Sequence, residues 1–84
     1  MDLTDLENCF AVAYAKDAKY IAVIIEMRGF EKPEIIINRY ENFKTKLDYY
    51  KKAYREDLVL KSYDGIKIIN FLYGNSLKEI EEKL

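Results

Sequence analysis

The spacing of apolar positions changes several times along the chain, and each change predicts a new element. Four apolar residues near the start recur at helical spacing: Leu6, Cys9, Phe10 and Ala13. This stripe predicts an amphipathic helix over residues 5–16. Thr4 and Glu7 are spaced as a capping box, in which both side chains accept hydrogen bonds from free backbone N–H groups. We therefore expect the first helix to begin beside Thr4.

Two runs rich in β-branched residues follow, and together they predict a hairpin. Residues 20–27 are almost continuously apolar, as expected of a central strand that is covered on both faces. Residues 34–38 repeat the pattern after a loop that contains Gly29 and Pro33. Strand alternation places Glu26 on the side opposite Ile25.

From residue 40 the apolar period becomes helical again. The apolar stripe predicts a second helix over residues 39–56. Tyr49 and Lys52 fall on the opposite, outward face of this helix. The stripe consists of five residues: Tyr40, Phe43, Leu47, Tyr50 and Tyr54.

The last third of the chain predicts a second hairpin and a short helix. Residues 58–63 and 66–73 are both strand-like, and they flank Asp64-Gly65, a pair suited to a type I′ turn. Ser76 and Glu79 are spaced as another capping box. They predict a terminal helix that packs on the sheet.

The predicted order is therefore αββαββα, in a single domain over residues 1–84. Helices and hairpins in this order predict an α+β fold. We expect a four-stranded, mainly antiparallel sheet with the helices packed on one face.

Composition narrows the chemistry that the chain can perform. The 84 residues include eight tyrosines and one cysteine but no histidine, and 14 basic against 15 acidic residues give a net charge of −1. Without histidine there is no imidazole base and no ordinary zinc site. The three glycines are too scattered for a phosphate-binding loop. We expect a protein that is not an enzyme and that holds neither cofactor nor metal.

The cellular location is predicted from the same composition. A lone cysteine indicates a reducing compartment. No basic leader segment is present, and no apolar run approaches the roughly 18–20 residues that span a bilayer. The sequence thus predicts a cytoplasmic protein that is neither secreted nor inserted into a membrane.

Two residues have side chains that could serve catalysis, but their positions favour other roles. Glu26 could act as a general acid if it were buried, but its strand position favours a solvated or paired carboxylate. Cys9 lies on the apolar stripe of the first helix, which favours a small core residue over a reactive thiol.

The strongest candidates for partner binding are Arg28, Phe30 and Lys32 in the first hairpin loop, with Tyr49 and Lys52 on the second helix. Arginine and aromatic residues are common anchors of protein interfaces. These five residues predict a protein-binding module. The alternative for Phe30 is that its ring folds back over the first helix.

Two other functions remain open at this point. The second helix carries an excess of basic residues, which would suit a nucleic-acid-binding accessory protein. An unpaired strand at the sheet edge would suit self-association as a homodimer. The basic residues in question are Arg39, Lys44, Lys46, Lys51, Lys52 and Arg55.

Several segments of the chain resemble small uncharacterised proteins encoded by phages and prophages of Gram-positive bacteria. The resemblance covers residues 19–76. It implies an accessory protein that acts in the bacterial cytoplasm as an inhibitor or adaptor. Such a protein would bind a host, defence or phage protein. It implies no functional residues. The segments that carry it are 19–23, 29–30, 33–38, 41–43, 47–51 and 65–69.

Overall fold

Three antiparallel strands form the sheet in the computed structural model, which describes residues 1–84. The central strand β1 (Tyr20–Met27) pairs with β2 (Glu34–Arg39) on one side and with β3 (Ile66–Gly74) on the other. These three strands confirm the predicted positions to within a residue or two at their ends. The register runs from Tyr20 opposite Arg39 to Ile25 opposite Glu34.

Three helices complete the α+β fold: α1 (Leu3–Ala15), α2 (Phe43–Ala53) and α3 (Leu77–Lys83). A 3-10 turn, Tyr40–Asn42, leads from β2 into α2. None of the helices has both the length and the apolar character needed to cross a membrane.

The predicted fourth strand over residues 58–63 is wrong. Leu58 has a φ angle of +68°, which turns the chain and interrupts an extended run. Only isolated bridges form, between Tyr54 and Leu60 and between Val59 and Lys67. The type I′ turn is also wrong, because such a turn needs positive φ at both central residues and neither Asp64 nor Gly65 has it.

The first helix begins earlier than predicted. Asp2 is the N-cap: its side chain accepts a hydrogen bond from the Asp5 N–H at 3.0 Å, and the Asp5 side chain accepts one from the Asp2 N–H at 2.9 Å. Leu3 favours this earlier start, because its side chain packs against the core and its backbone N–H donates to the Glu56 carbonyl at 2.9 Å.

The second helix is shorter than predicted and the third begins as predicted. Tyr54 is extended and ends α2 (φ −114°, ψ 148°). At the start of α3, the Ser76 hydroxyl accepts from the Glu79 N–H at 3.0 Å, while the Glu79 carboxylate accepts from the Asn75 N–H at 2.8 Å. In a regular capping box the Glu79 carboxylate would accept from the N–H of the N-cap residue, Ser76. Here it accepts from the N–H of the preceding residue, Asn75.

The helices cover both faces of the sheet, so the prediction of helices on one face is wrong. Ile21, Val23 and Ile25 pack with α1 and α2 in the main core. On the opposite face, Ile80 of α3 packs against Ala22 and Ile24. The cause is visible in β1, whose side chains are apolar on both faces and so need cover on both.

Asn38 is a buried polar residue at the edge of the main core. Its amide nitrogen donates to the Ile21 carbonyl at 3.2 Å and to the Ile36 carbonyl at 3.4 Å. Its carbonyl oxygen accepts from the Tyr50 hydroxyl at 3.4 Å. These bonds satisfy the Asn38 side chain and tie β2 to α2.

Candidate protein-binding surface

The loop between β1 and β2 places Phe30 in solvent. Gly29 adopts a φ of +90°, a conformation that favours glycine, and the Phe30 N–H donates to the Met27 carbonyl at 3.1 Å. This tight turn leaves 66% of Phe30 exposed. Phe30 therefore does not fold back over α1, and its ring is available to a partner.

Arg28 and Lys32 lie in the same loop but differ in their surroundings. The Arg28 guanidinium lies 3.4 Å from an Asp64 carboxylate oxygen and over the Tyr63 ring, with 5.9 Å to the ring centroid. Its backbone N–H donates to the Gly65 carbonyl at 2.8 Å. Arg28 thus ties the hairpin to the loop before β3, whereas Lys32 is exposed and forms no ion pair.

Tyr49 and Lys52 form a second exposed group, on α2. The Tyr49 ring is half exposed and lies edge-on to Tyr50, with 5.4 Å between centroids. The Lys46 ammonium lies 5.3 Å from the Tyr49 centroid. No hydrogen bond, ion pair or aromatic contact connects this group to the hairpin loop, so the five predicted residues are divided between two surfaces.

Two further exposed apolar residues lie on β2, next to the hairpin loop, and they were not identified from the sequence. Ile35 is 45% exposed and Ile37 is 38% exposed, and they lie opposite Ile24 and Ala22 of β1. Strand alternation separates them from Ile36, which packs against the main core. That alternation was the available signal, but only the position of α3 shows that this part of the outer face stays uncovered.

The edge position of β2 gives this surface a second property. β2 is hydrogen-bonded to β1 on one side and to no strand on the other. Edge strands of this kind can pair with another chain unless charge, proline or a bulge blocks them. In β2 the charged residues are confined to the two ends, Glu34 and Arg39, and Pro33 precedes the strand.

Two basic residues near α2 are neutralised by neighbouring carboxylates. Lys51 lies 2.6 Å from a Glu7 oxygen, and the hydrogen bond to Glu7 raises the pKa of Lys51. Arg55 lies 2.6 Å from an Asp57 oxygen, and that hydrogen bond likewise raises the pKa of Arg55 and lowers the pKa of Asp57. The basic excess available to nucleic acid is correspondingly smaller than the sequence indicates.

The two residues considered for catalysis have unremarkable surroundings. Glu26 is exposed and lies opposite Lys67 in the sheet register. Cys9 packs against the main core, and burial raises the pKa of its thiol to about 11, which disfavours the reactive thiolate. No three His, Cys, Asp or Glu side chains converge in an arrangement that could hold a metal ion.

Comparison with protein-family models, with curated proteins and with solved structures finds no match to this chain.

Proposed function

We propose that the protein is a small protein-binding module whose partner docks on strand β2 and the adjoining loop 28–33. The observation that supports this proposal best is the combination of an unpaired strand edge with exposed Ile35 and Ile37 side chains. An extended peptide segment of a partner can add to such an edge by backbone hydrogen bonds. The side chains on the outer face then provide affinity and selectivity.

The exposed apolar side chains are large enough to contribute measurably. Burying a whole isoleucine or phenylalanine side chain is worth about 1.5–3 kcal/mol, so the exposed part of Ile35 or Ile37 is worth about 1 kcal/mol. Phe30 is more exposed and contributes about 1–2 kcal/mol by the same relation. Lys32 adds a charge at the rim, where it affects the rate of association more than affinity.

The nature of the partner follows from the resemblance described above. A phage-encoded accessory protein of this size would act in the cytoplasm of the bacterial host as an inhibitor or adaptor. Its partner would be a host or phage protein. This part of the proposal depends on the resemblance, whereas the binding surface depends on the geometry of β2.

A capture experiment with matched variants tests the surface. Tagged wild-type protein, Ile37→Lys and Val12→Lys are incubated with lysate of a Gram-positive bacterium, with and without nuclease. Val12 is the control because its exposed fraction, 42%, is similar to the 38% of Ile37, whereas it lies on α1 and not on β2. We expect the wild-type protein and Val12→Lys to capture one discrete partner protein, with or without nuclease. Ile37→Lys should fail to capture it.

Three results would contradict the proposal. Capture that Ile37→Lys leaves unchanged would refute the β2 surface. Capture that both lysine variants abolish would indicate general hydrophobic adhesion. Recovery that disappears with nuclease would instead favour the nucleic-acid alternative, which also predicts that affinity falls steeply with salt.

Self-association is the second candidate function, because the same open edge can accept a second copy of the chain. Pairing of two β2 strands across a two-fold axis would align Ile35 of one copy with Ile37 of the other on the outer face. Light scattering over a dilution series would show a dimer that dissociates on dilution. Ile37→Lys should yield a monomer at every concentration, and Val12→Lys should not.

A further inference from the structure

A second apolar surface lies between α1 on one side and the 3-10 turn with α2 on the other. Three contacts show that the two helices run antiparallel. Glu7 pairs with Lys51, the Phe10 ring lies edge-on to Phe43 at 5.7 Å, and the Tyr14 ring stacks on Tyr40 at 5.4 Å. As the residue number increases along α1, the residue number of its contact on the other side therefore decreases.

These helices border an open trough of about 450 Å³. The volume lies within the range of sites that bind ligands or side chains. On each wall the residues are spaced three or four apart over two helical turns, a length of about 10 Å. The apolar lining consists of Phe10, Ala11, Tyr14, Tyr40, Phe43 and Leu47.

The aromatic end of the trough has a defined shape. The Tyr14 and Tyr40 rings are nearly parallel, with 6° between their planes. The Tyr40 hydroxyl lies 3.5 Å from an Asp17 carboxylate oxygen, which orients the ring. Yet Tyr14 is 60% exposed, so the stacked pair presents apolar area to solvent that no part of this chain covers.

We propose that this trough binds one amphipathic α-helix of a partner protein. Two antiparallel helices leave a groove along their shared axis, and a third helix fills such a groove with residues at i, i+3 or i+4, and i+7. The two-turn length of the lining matches that spacing. An extended peptide would place alternate side chains away from the trough and use only part of its lining.

Three charged residues at the rim of the trough predict which charges the partner helix should carry. They are Glu7, Glu41 and Lys44. Glu7 is already paired with Lys51, but Glu41 and Lys44 line the trough and form no ion pair. Glu41 lies in the 3-10 turn and Lys44 in the first turn of α2, and both line the same wall of the trough. The partner helix should therefore carry a basic residue for Glu41 and an acidic residue for Lys44, about one turn apart.

A displayed library of helical peptides tests this proposal. The peptides are about 16 residues long, are stapled on one face because short helices are marginal in water, and are randomised on the other. They are sorted for binding to the purified protein, and affinities are measured by fluorescence anisotropy. We expect selected peptides to be apolar at i, i+3 or i+4, and i+7.

Two alanines of α1 provide a matched pair of variants. Ala11→Glu places a charged side chain in the trough, whereas Ala15→Glu makes the same change one turn beyond it; both alanines are exposed and glutamate is a good helix former. Ala11→Glu should weaken peptide binding about tenfold or more, and Ala15→Glu should not. Glu41→Lys should reverse the preference for a basic residue.

The proposal is overturned if selection yields no helical binder, or if selected peptides bind Ala11→Glu as tightly as wild type while circular dichroism shows that both are folded. The Ile37→Lys variant separates this surface from the one on β2. Ile37→Lys should bind the selected peptides as tightly as wild type does, because Ile37 does not line the trough. This expectation holds whether or not a partner binds at the edge of β2.

Discussion

Replacement of Tyr50 by phenylalanine removes a single hydroxyl from the interior of the protein. The Tyr50 side chain is 1% exposed, and its ring contacts Phe10 and Tyr54. Phenylalanine keeps those ring contacts. The change therefore isolates the hydrogen bond from the Tyr50 hydroxyl to the Asn38 carbonyl oxygen.

The expected cost has two parts. The hydrogen bond is long, 3.4 Å, so its own net contribution should be near the low end of the usual range, about 0.5 kcal/mol. The larger part arises because the buried Asn38 oxygen loses its partner, and an unsatisfied buried acceptor costs about 1–3 kcal/mol. The two parts sum to about 1.5–3.5 kcal/mol, and because the hydrogen bond is long we expect a loss in the lower half of that interval, about 1.5–2.5 kcal/mol. Such a loss lowers the melting temperature by roughly 6–20 °C in a domain of this size.

Chemical and thermal unfolding followed by far-UV circular dichroism measures this loss. The control is Tyr49→Phe, which makes the same substitution at the adjacent, half-exposed position, where the change should stay within about 0.5 kcal/mol. In a double-mutant cycle with Asn38→Ala, the effect of Tyr50→Phe should shrink because the orphaned acceptor is gone.

A loss of stability on Tyr50→Phe that is no greater than the loss on Tyr49→Phe would contradict this expectation. Additive effects of the substitutions at Asn38 and Tyr50 would contradict it as well. Either result would mean that the Tyr50 hydroxyl does not satisfy Asn38 in solution.

Three further predictions concern the helix cap, the hairpin loop and alkaline pH. Asp2→Ala should cost about 0.5–2 kcal/mol in urea unfolding through loss of the N-cap, whereas Thr4→Ala should cost less than about 0.5 kcal/mol; the opposite order would restore the cap to Thr4. Gly29→Ala should cost about 1–2 kcal/mol by the same measurement, because φ is +90° and an added Cβ meets no other atom, so strain is the sole cost; an unchanged stability would contradict that φ angle. Burial and two neighbouring tyrosines raise the pKa of Tyr54 to about 12, so its contribution to stability is complete below the ordinary tyrosine value of about 10 and is lost as the pH rises toward 12. Tyr54→Phe should make stability less dependent on pH over that interval, and an unchanged pH profile would argue against the shift.

The parts of the fold that the sequence predicts well are those where one strong periodicity acts alone. The almost continuous apolar run over residues 20–27 could only be satisfied in a strand with cover on both sides, and β1 is central. The spacing of Phe43 and Tyr50 likewise identified the buried side of α2, since both are at most 2% exposed.

The errors arise where local patterns compete or where distant residues decide. Asp2 and Thr4 both begin capping sequences, and the contact of Leu3 with Glu56 and the core selects the first. Residues 58–63 have the composition of a strand, but Leu58 adopts a positive φ in a tight turn in which its N–H donates to the Arg55 carbonyl at 2.9 Å, and its side chain is buried in the main core. Local propensity contains no record of such contacts.

The candidate surfaces show the same division. The exposure of Phe30 could be expected from the sequence because a loop residue beside Gly29 has few places to pack. Ile35 and Ile37 could not, because their exposure depends on which strands α3 covers. The trough between α1 and α2 was hidden in the sequence for the opposite reason: Phe10, Tyr40 and Leu47 look like ordinary core residues until the gap between the helices is seen.

The strand order β2-β1-β3 also means that the two strand pairs differ in the chain entropy lost when they form. Pairing of β1 with β2 begins between Ile25 and Glu34, nine residues apart, whereas pairing of β1 with β3 begins between Met27 and Ile66, which are 39 residues apart. Closing the longer loop costs about 1.3 kcal/mol more chain entropy. The hairpin is thus the cheaper nucleus, and attachment of β3, which completes the main core through Ile68, should dominate the folding barrier.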